Sequence, residues 1–174
     1  AQGGDPNRET LQVIPTKEGK SYLTEKNGDG WRVYPFITDS LSFDKADTPE
    51  AMKKSGYAFG NFQYLLSDFP AEKLHETIPD FHNTVDRYAK FEQAVQKDVM
   101  GRAKEVEAEI SFIKEREKDC HYFGDLLAAG EIPLRVTHND TKLNNVLFDK
   151  ASGNAICVID LDTVMPGFAA HDFG

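Results

Sequence analysis

The sequence predicts an α+β fold with two lobes, built in order from a small sheet, a group of helices and a β-rich loop region. Three observations support this prediction. Apolar and polar residues alternate over 11–37, apolar residues recur at helical spacing over 48–119, and short β-type runs follow residue 134. The chain has 174 residues, which is enough for one domain with a hydrophobic core.

The first region, residues 11–37, predicts a β-meander of two or three strands. The segment Asn27–Gly30 separates two of the runs, and its Asn-Gly pair readily takes the positive backbone angles of a tight hairpin turn. Pro35 then disfavours a helix at the preceding residue, so we expect the chain to leave the sheet as an extended connector.

Three helices are predicted in the middle of the chain. Thr48, followed by Pro49 and Glu50, predicts a helix that begins there and runs to about residue 66. A second helix is predicted from near residue 80 to 97, and a third from near 98 to 119. The third has a heptad stripe, but about two heptads fall short of a coiled coil, so we interpret it as an ordinary core helix.

Short β runs follow, at residues 134–137, 146–149 and 155–162. A hairpin centred on Ser152-Gly153 would place Asn145 opposite Asp160, and Asp149 opposite Ile156. Because paired residues lie roughly 4.5–5.5 Å apart, one cation could then contact both Asn145 and Asp160.

Composition and charge argue against several classes of protein. The net charge of −9 argues against binding to nucleic acid or to an anionic membrane. No signal peptide is recognisable, and the longest apolar run, 155–159, is too short to span a bilayer. Cys120 and Cys157 form no metal-binding or redox motif. We therefore expect a soluble, cytoplasmic protein, whose oligomeric state the sequence does not define.

The segment His138–Asn145, followed by Val158–Asp162, carries the residues expected to perform chemistry. Phosphoryl transfer from ATP needs a carboxylate that orients or deprotonates the attacking hydroxyl, and oxygen ligands that hold Mg²⁺ against the phosphates. Asp140 supplies the first kind of group, and Asn145 and Asp160 supply the second.

These residues resemble a known pattern. Residues 138–145 match the H-x-D-x-K-x-x-N catalytic loop of protein kinases and the H-x-D-x-x-x-x-N motif of the aminoglycoside phosphotransferase and choline kinase superfamily. Residues 159–162, Ile-Asp-Leu-Asp, resemble that superfamily's counterpart of the kinase Asp-Phe-Gly. The resemblance implies a protein-kinase-like two-lobe fold that uses ATP and Mg²⁺.

The resemblance also implies roles for single residues. Asp140 is expected to be the catalytic base, His138 to brace the loop and Lys142 to approach the transferred phosphate. Asn145 and Asp160 are expected to bind Mg²⁺.

Other roles implied by the resemblance are less specific. Asp162 is either a further metal ligand or a substrate contact. The connector residues Tyr34, Phe36 and Ile37 are expected to bind the nucleotide, although Trp31 and Phe36 could equally pack in the core.

Two segments, 75–84 and 136–149, are similar to N-acetylhexosamine 1-kinases. This similarity implies that a sugar, N-acetylglucosamine or N-acetylgalactosamine, is phosphorylated at its anomeric hydroxyl. The alternatives are an aminoglycoside or choline acceptor on the same fold, or a truncated scaffold that only binds nucleotide. Some relatives are labelled as sulfatases, but the surroundings of Cys120 and Cys157 do not fit the C/S-x-P-x-R nucleophile sequence.

The resemblance divides the chain at residue 40. Residues 1–40 would be the last strands of the small lobe with the hinge, and residues 41–174 the first part of the large lobe. We expect a fragment that lacks the phosphate-covering loop and the strand lysine, and that is inactive alone. Asp172, in the terminal Asp-Phe-Gly, is expected to have a structural role, and His75, Glu76 and His82 are expected to be ordinary polar or packing residues, not zinc ligands.

Overall fold

The computed structural model describes residues 4–173, which form two compact units. The first unit contains residues 4–67 and 140–162, and the second contains residues 68–139 and 163–173. The division of the chain at residue 40 stays a prediction.

Helices and short antiparallel sheets both occur, as expected for an α+β fold. Within residues 4–173 the helices are α1 (Pro6–Glu9), α2 (Pro49–Leu65), α3 (Thr84–Lys97), α4 (Glu107–Lys114), α5 (Tyr122–Ala128) and α6 (Ala169–Phe173). The strands are β1 (Leu23–Thr24), β2 (Gly30–Trp31), β3 (Ser40–Leu41), β4 (Arg135–Thr137), β5 (Val146–Asp149), β6 (Ala155–Val158) and β7 (Met165–Gly167).

The predicted meander is present in the first unit as short pairings. β1 pairs antiparallel with β2, and an isolated bridge joins Ile14 to Val33. The turn between β1 and β2 contains Gly28 at a φ of +94°, a backbone conformation that glycine adopts without strain.

Helix α2 begins where the sequence predicts. The Thr48 hydroxyl accepts a hydrogen bond from the amide of Ala51 at 3.2 Å, and Pro49 occupies the first helical position, where no backbone donor is needed. The helix buries Phe59 against Val146 and Phe148 of strand β5. These three side chains form the core of the first unit, and the ring of Phe43 packs edge-on against Phe148 at 5.1 Å.

The hairpin of β5 and β6 forms, but the predicted register is wrong. Val146 pairs with Val158, whereas Phe148 pairs with Ala155, because the register shifts after Leu147. This shift leaves Ile156 as an extra residue on β6, which is the geometry of a β-bulge.

The shift changes both predicted pairs. The amide of Ile159, and not Asp160, meets Asn145, whose carbonyl oxygen it reaches at 2.9 Å. Asp149 bonds to Asn154 instead of facing Ile156. The predicted strand 155–162 also ends early, because Asp160 has a φ of +60° and a 3₁₀ turn spans Leu161–Thr163.

In the second unit one predicted helix is present but begins later than expected, and another is interrupted. The second predicted helix, α3, begins at Thr84, because Asp80 takes a left-handed conformation (φ +58°) and Asn83 caps the helix by accepting a hydrogen bond from Asp86. The third is not continuous. Asp98 and Gly101 have positive φ angles of 35° and 65°, and α4 is flanked by 3₁₀ turns at 103–106 and 117–121.

The remaining part of the second unit is a two-stranded ladder. Strand β4 pairs antiparallel with β7, from Arg135 opposite Gly167 to Thr137 opposite Met165. The hydroxyl of Thr137 donates to the carbonyl of Met165 at 3.0 Å. Helix α6 follows β7 directly. Among residues 4–173 we find no helix with the length and apolar character needed to cross a membrane.

Candidate active site

Asp140 and Asn145 lie together in the first unit. The side-chain nitrogen of Asn145 donates to the Asp140 carbonyl oxygen at 2.8 Å and to its carboxylate Oδ2 at 3.0 Å. A 3₁₀ turn, Leu143–Asn145, folds the chain back so that these groups meet. Because both hydrogens of the amide are engaged, the amide oxygen Oδ1 is the atom that Asn145 has left to bind a cation.

Lys142 is paired with the same carboxylate. Its ammonium nitrogen lies 2.9 Å from Asp140 Oδ2. The hydrogen bond and the charge of Asp140 raise the pKa of Lys142, and the more distant charge of Asp160 adds to this effect. Lys142 is therefore a cation at neutral pH, and it partly neutralises a site that is otherwise acidic.

Asp160 lies near Asn145 because the preceding residue, Ile159, forms a backbone hydrogen bond to Asn145. The two residues do not face each other as the predicted register required. The bond between the Ile159 amide and the Asn145 carbonyl places the start of the Asp160 segment beside Asn145. Asp160 itself is exposed and has a φ of +60°, a conformation that aspartate tolerates better than most residues. The chain turns at Asp160 and does not continue the strand.

A cavity of about 460 Å³ in the first unit is lined by the predicted nucleotide residues and by Asp160 and Asp162, but not by the third predicted metal ligand, Asn145. Its volume lies within the range of small-molecule sites, roughly 300–1,000 Å³. The lining includes mainly apolar residues of the connector and the β hairpin, together with two carboxylates: Leu11, Tyr34, Pro35, Phe36, Ile37, Leu147, Ile159, Leu161, Asp160 and Asp162.

Arg32 contributes positive charge to this cavity. Its guanidinium forms an ion pair with Asp162 and lies 5.7 Å from the centre of the Tyr34 ring. Phe36 and Trp31 are 86% and 58% exposed, so the expectation that either packs in the core is wrong. The assignment of Tyr34, Phe36 and Ile37 to nucleotide binding stays a prediction.

The predicted metal ligands offer oxygen atoms of the kind that Mg²⁺ prefers. These are the amide oxygen of Asn145 and the carboxylates of Asp160 and Asp162. Within residues 4–173, no three side chains drawn from His, Cys, Asp and Glu are grouped to hold a metal. The donor set fits Mg²⁺, and the roles of these residues stay predictions.

The residues that precede Asp140 are fixed within the second unit. The carboxylate of Asp172 accepts hydrogen bonds from the amides of His138 and Asn139, both at 2.8 Å. The Thr163 hydroxyl donates to the carbonyl of His138 at 2.7 Å. These hydrogen bonds brace the backbone of His138, and its side chain is fully buried. The expectation that this side chain braces the loop stays a prediction.

Asp172 was expected to have a structural role, but the sequence does not reveal its hydrogen-bond partners, the amides of His138 and Asn139. The bonds of Asp172 span more than 30 residues, and no local spacing signals them. His82 was expected to be an ordinary polar or packing residue, and the structure shows which polar contact it makes: its Nε2 lies 2.8 Å from the carbonyl oxygen of Asn139. Both contacts depend on how β4 pairs with β7 and on where the turn before α3 lies.

Comparison with known protein families identifies the family of the chain. The family model described as the phosphotransferase enzyme family matches residues 14–174, which is most of the chain. The match confirms the predicted aminoglycoside phosphotransferase superfamily and its α+β kinase-like fold, and it supports phosphotransferase chemistry of the kinase type in general terms. The chain belongs to the phosphotransferase enzyme family.

Proposed function

We propose that the complete protein containing this chain transfers a phosphoryl group from ATP to the anomeric hydroxyl of an N-acetylhexosamine, with Mg²⁺ as cofactor. The observation that carries the proposal is the Asp140 carboxylate, which Asn145 and Lys142 hold at 3.0 and 2.9 Å. A positioned carboxylate is the group that a hydroxyl acceptor needs.

In this proposal Asp140 is the catalytic base. One carboxylate oxygen, Oδ2, is engaged by Asn145 and Lys142, and the carboxylate accepts the proton of the attacking hydroxyl as the phosphorus–oxygen bond forms. Lys142 limits the rotation of that carboxylate and provides positive charge near the transferred phosphate. Its raised pKa keeps it protonated throughout the neutral range.

Mg²⁺, when bound, would neutralise the charge of the nucleotide phosphates. Asn145 Oδ1 and the carboxylates of Asp160 and Asp162 would hold it. Arg32 is already an ion-pair partner of Asp162, so the charge of this carboxylate is balanced before any cation binds. The apolar connector wall of the same cavity suits the base of a nucleotide.

The choice of acceptor rests on sequence similarity. Residues 75–84 and 136–149 are similar to N-acetylhexosamine 1-kinases, and the second segment contains Asp140 and Asn145. A reducing, cytoplasmic setting, where ATP is available, is supported by the two cysteines, Cys120 and Cys157, which are both free.

The test is an ATP-consumption assay with N-acetylglucosamine, N-acetylgalactosamine, an aminoglycoside and choline as separate acceptors. We expect turnover with the sugars, and Asp140→Asn should lower kcat by about 10²–10⁴-fold. Asp47→Asn, an exposed carboxylate of the same unit, is the matched control and should leave kcat unchanged. Turnover only with aminoglycoside or choline would replace the acceptor, and no turnover with any of the four would refute the proposal.

A further inference from the structure

Asn139, the residue before Asp140, is held from several directions within the second unit. Its amide donates to Asp172 Oδ1 at 2.8 Å, and its side-chain nitrogen donates to the carbonyls of Thr163 and Thr137 at 2.9 and 3.3 Å. Its φ is +67°, a left-handed conformation that asparagine tolerates better than most residues.

The carbonyl of Asn139 has a different partner from the rest of the residue. His82 Nε2 lies 2.8 Å from this oxygen. A carbonyl oxygen can only accept, so Nε2 carries the hydrogen and donates it. His82 is separated from Asn139 by 57 residues, so this bond ties the turn before α3 to the catalytic loop.

This contact fixes a peptide plane. The carbonyl of Asn139 and the amide of Asp140 belong to the same planar unit, so a partner that holds the oxygen also sets the direction in which the chain enters Asp140. Asp172 holds the opposite side of Asn139 through its amide. Without His82 the carbonyl of Asn139 would lose this hydrogen bond, and that plane could rotate more easily.

His82 is itself held firmly. Its ring packs against the rings of Phe81 and His171, with centroid distances of 4.7 and 4.9 Å. The next residue, Asn83, caps α3 and also bonds to Asp80 at 2.8 Å, which fixes the turn. The ring therefore presents Nε2 from a rigid base.

We propose that His82 is a positioning residue of the phosphotransfer reaction, acting through its hydrogen bond to the carbonyl that precedes Asp140. This inference rests on the proposed function, in which Asp140 is the base. His82 does not contact the reacting atoms in this scheme. Its loss should lower kcat and leave the KM for ATP unchanged.

The test compares two substitutions at one position. His82→Phe keeps an aromatic ring and removes the donor, whereas His82→Gln keeps a donor at the end of a flexible side chain. His171→Phe controls for ring packing, because the His171 ring touches His82 but is not hydrogen-bonded to Asn139. Circular dichroism and the melting temperature identify any variant that fails to fold.

Two measurements decide the outcome. Amide hydrogen exchange in the 174-residue chain should become about tenfold faster at residues 138–141 in His82→Phe, the factor that corresponds to the loss of one hydrogen bond, and His82→Gln should restore much of the protection. In the complete protein, kcat should fall about tenfold in His82→Phe and recover in His82→Gln.

Three results would overturn the inference: unchanged exchange at residues 138–141 in His82→Phe, equal loss of kcat in the Phe and Gln variants, or equal exchange in His82→Phe and His171→Phe. Failure of the proposed function is a separate result, because it shows in the unsubstituted protein as absent turnover. The exchange comparison decides whether His82 holds the loop without reference to turnover.

Discussion

Replacing Asp172 by asparagine should destabilise the second unit strongly. The carboxylate is only 9% exposed, and each of its oxygens accepts a backbone hydrogen bond at 2.8 Å, from His138 and from Asn139. Asparagine keeps one acceptor oxygen and places an NH₂ group against the other backbone N–H. One bond to a charged acceptor is lost, and one buried donor is left without a partner.

The magnitude follows from these two losses. A hydrogen bond to a charged group contributes about 1.5–3 kcal/mol, and an unsatisfied buried donor costs about 1–3 kcal/mol, so Asp172→Asn should lower the free energy of unfolding by roughly 2.5–6 kcal/mol. Total stabilities of domains are about 5–15 kcal/mol, so this is a large share.

The assay is urea unfolding followed by far-ultraviolet circular dichroism. Asp125→Asn is the matched control, since Asp125 is an exposed carboxylate of the same unit and its loss should change stability by about 0.5 kcal/mol or less. A loss below about 1 kcal/mol in Asp172→Asn would refute the reasoning, because two such bonds cannot then be stabilising the loop.

Further predictions concern the core, a tight contact and the pH dependence. Phe148→Ala empties a site that is 1% exposed and should cost about 3–5 kcal/mol of unfolding free energy, measured in urea, whereas the 96% exposed Phe173 should tolerate alanine. Gly167→Ala would push a Cβ into the Thr137 hydroxyl and should cost about 1–3 kcal/mol in the same assay; an unchanged urea midpoint would show that β4 and β7 are not this close. Bonds from Ser152, helped by Arg8, lower the pKa of Asp149 to about 2 from an ordinary value of 3.8. Its stabilisation is therefore present above about pH 4 and is lost as the pH falls towards 2, so Asp149→Asn should flatten the melting temperature against pH in that window. An unchanged slope would contradict the assignment.

Short stretches of sequence predicted the start of helix α2 and the β5–β6 hairpin correctly. The start of α2 was predicted correctly, because a threonine hydroxyl followed by proline satisfies the first helical amides whatever the rest of the chain does. The β5–β6 hairpin was also predicted, because the Ser152-Gly153 turn separates two short β-type runs. Its register was not, because the bulge at Ile156 leaves no signal in the alternation of apolar residues.

The long third helix failed because apolar spacing does not report backbone conformation. The spacing continues through Asp98 and Gly101, but both residues take positive φ angles and end the helical path. In the candidate site, Asp140 and Asn145 meet through a short turn, since only four residues lie between them. Asp172 and His82 act over more than 30 residues, so only the folded chain shows what they hold.

The hydrogen bonds of Asn145 determine whether a neutral or a charged side chain is tolerated at position 145. Its two hydrogens point at two oxygens of Asp140, one neutral and one charged. Aspartate has the same shape and is the stronger ligand for a divalent cation, but there it would set oxygen against oxygen at both places. Position 145 therefore favours a neutral side chain, and in the proposed function the negative charge at the cation would come from the Asp160 and Asp162 carboxylates.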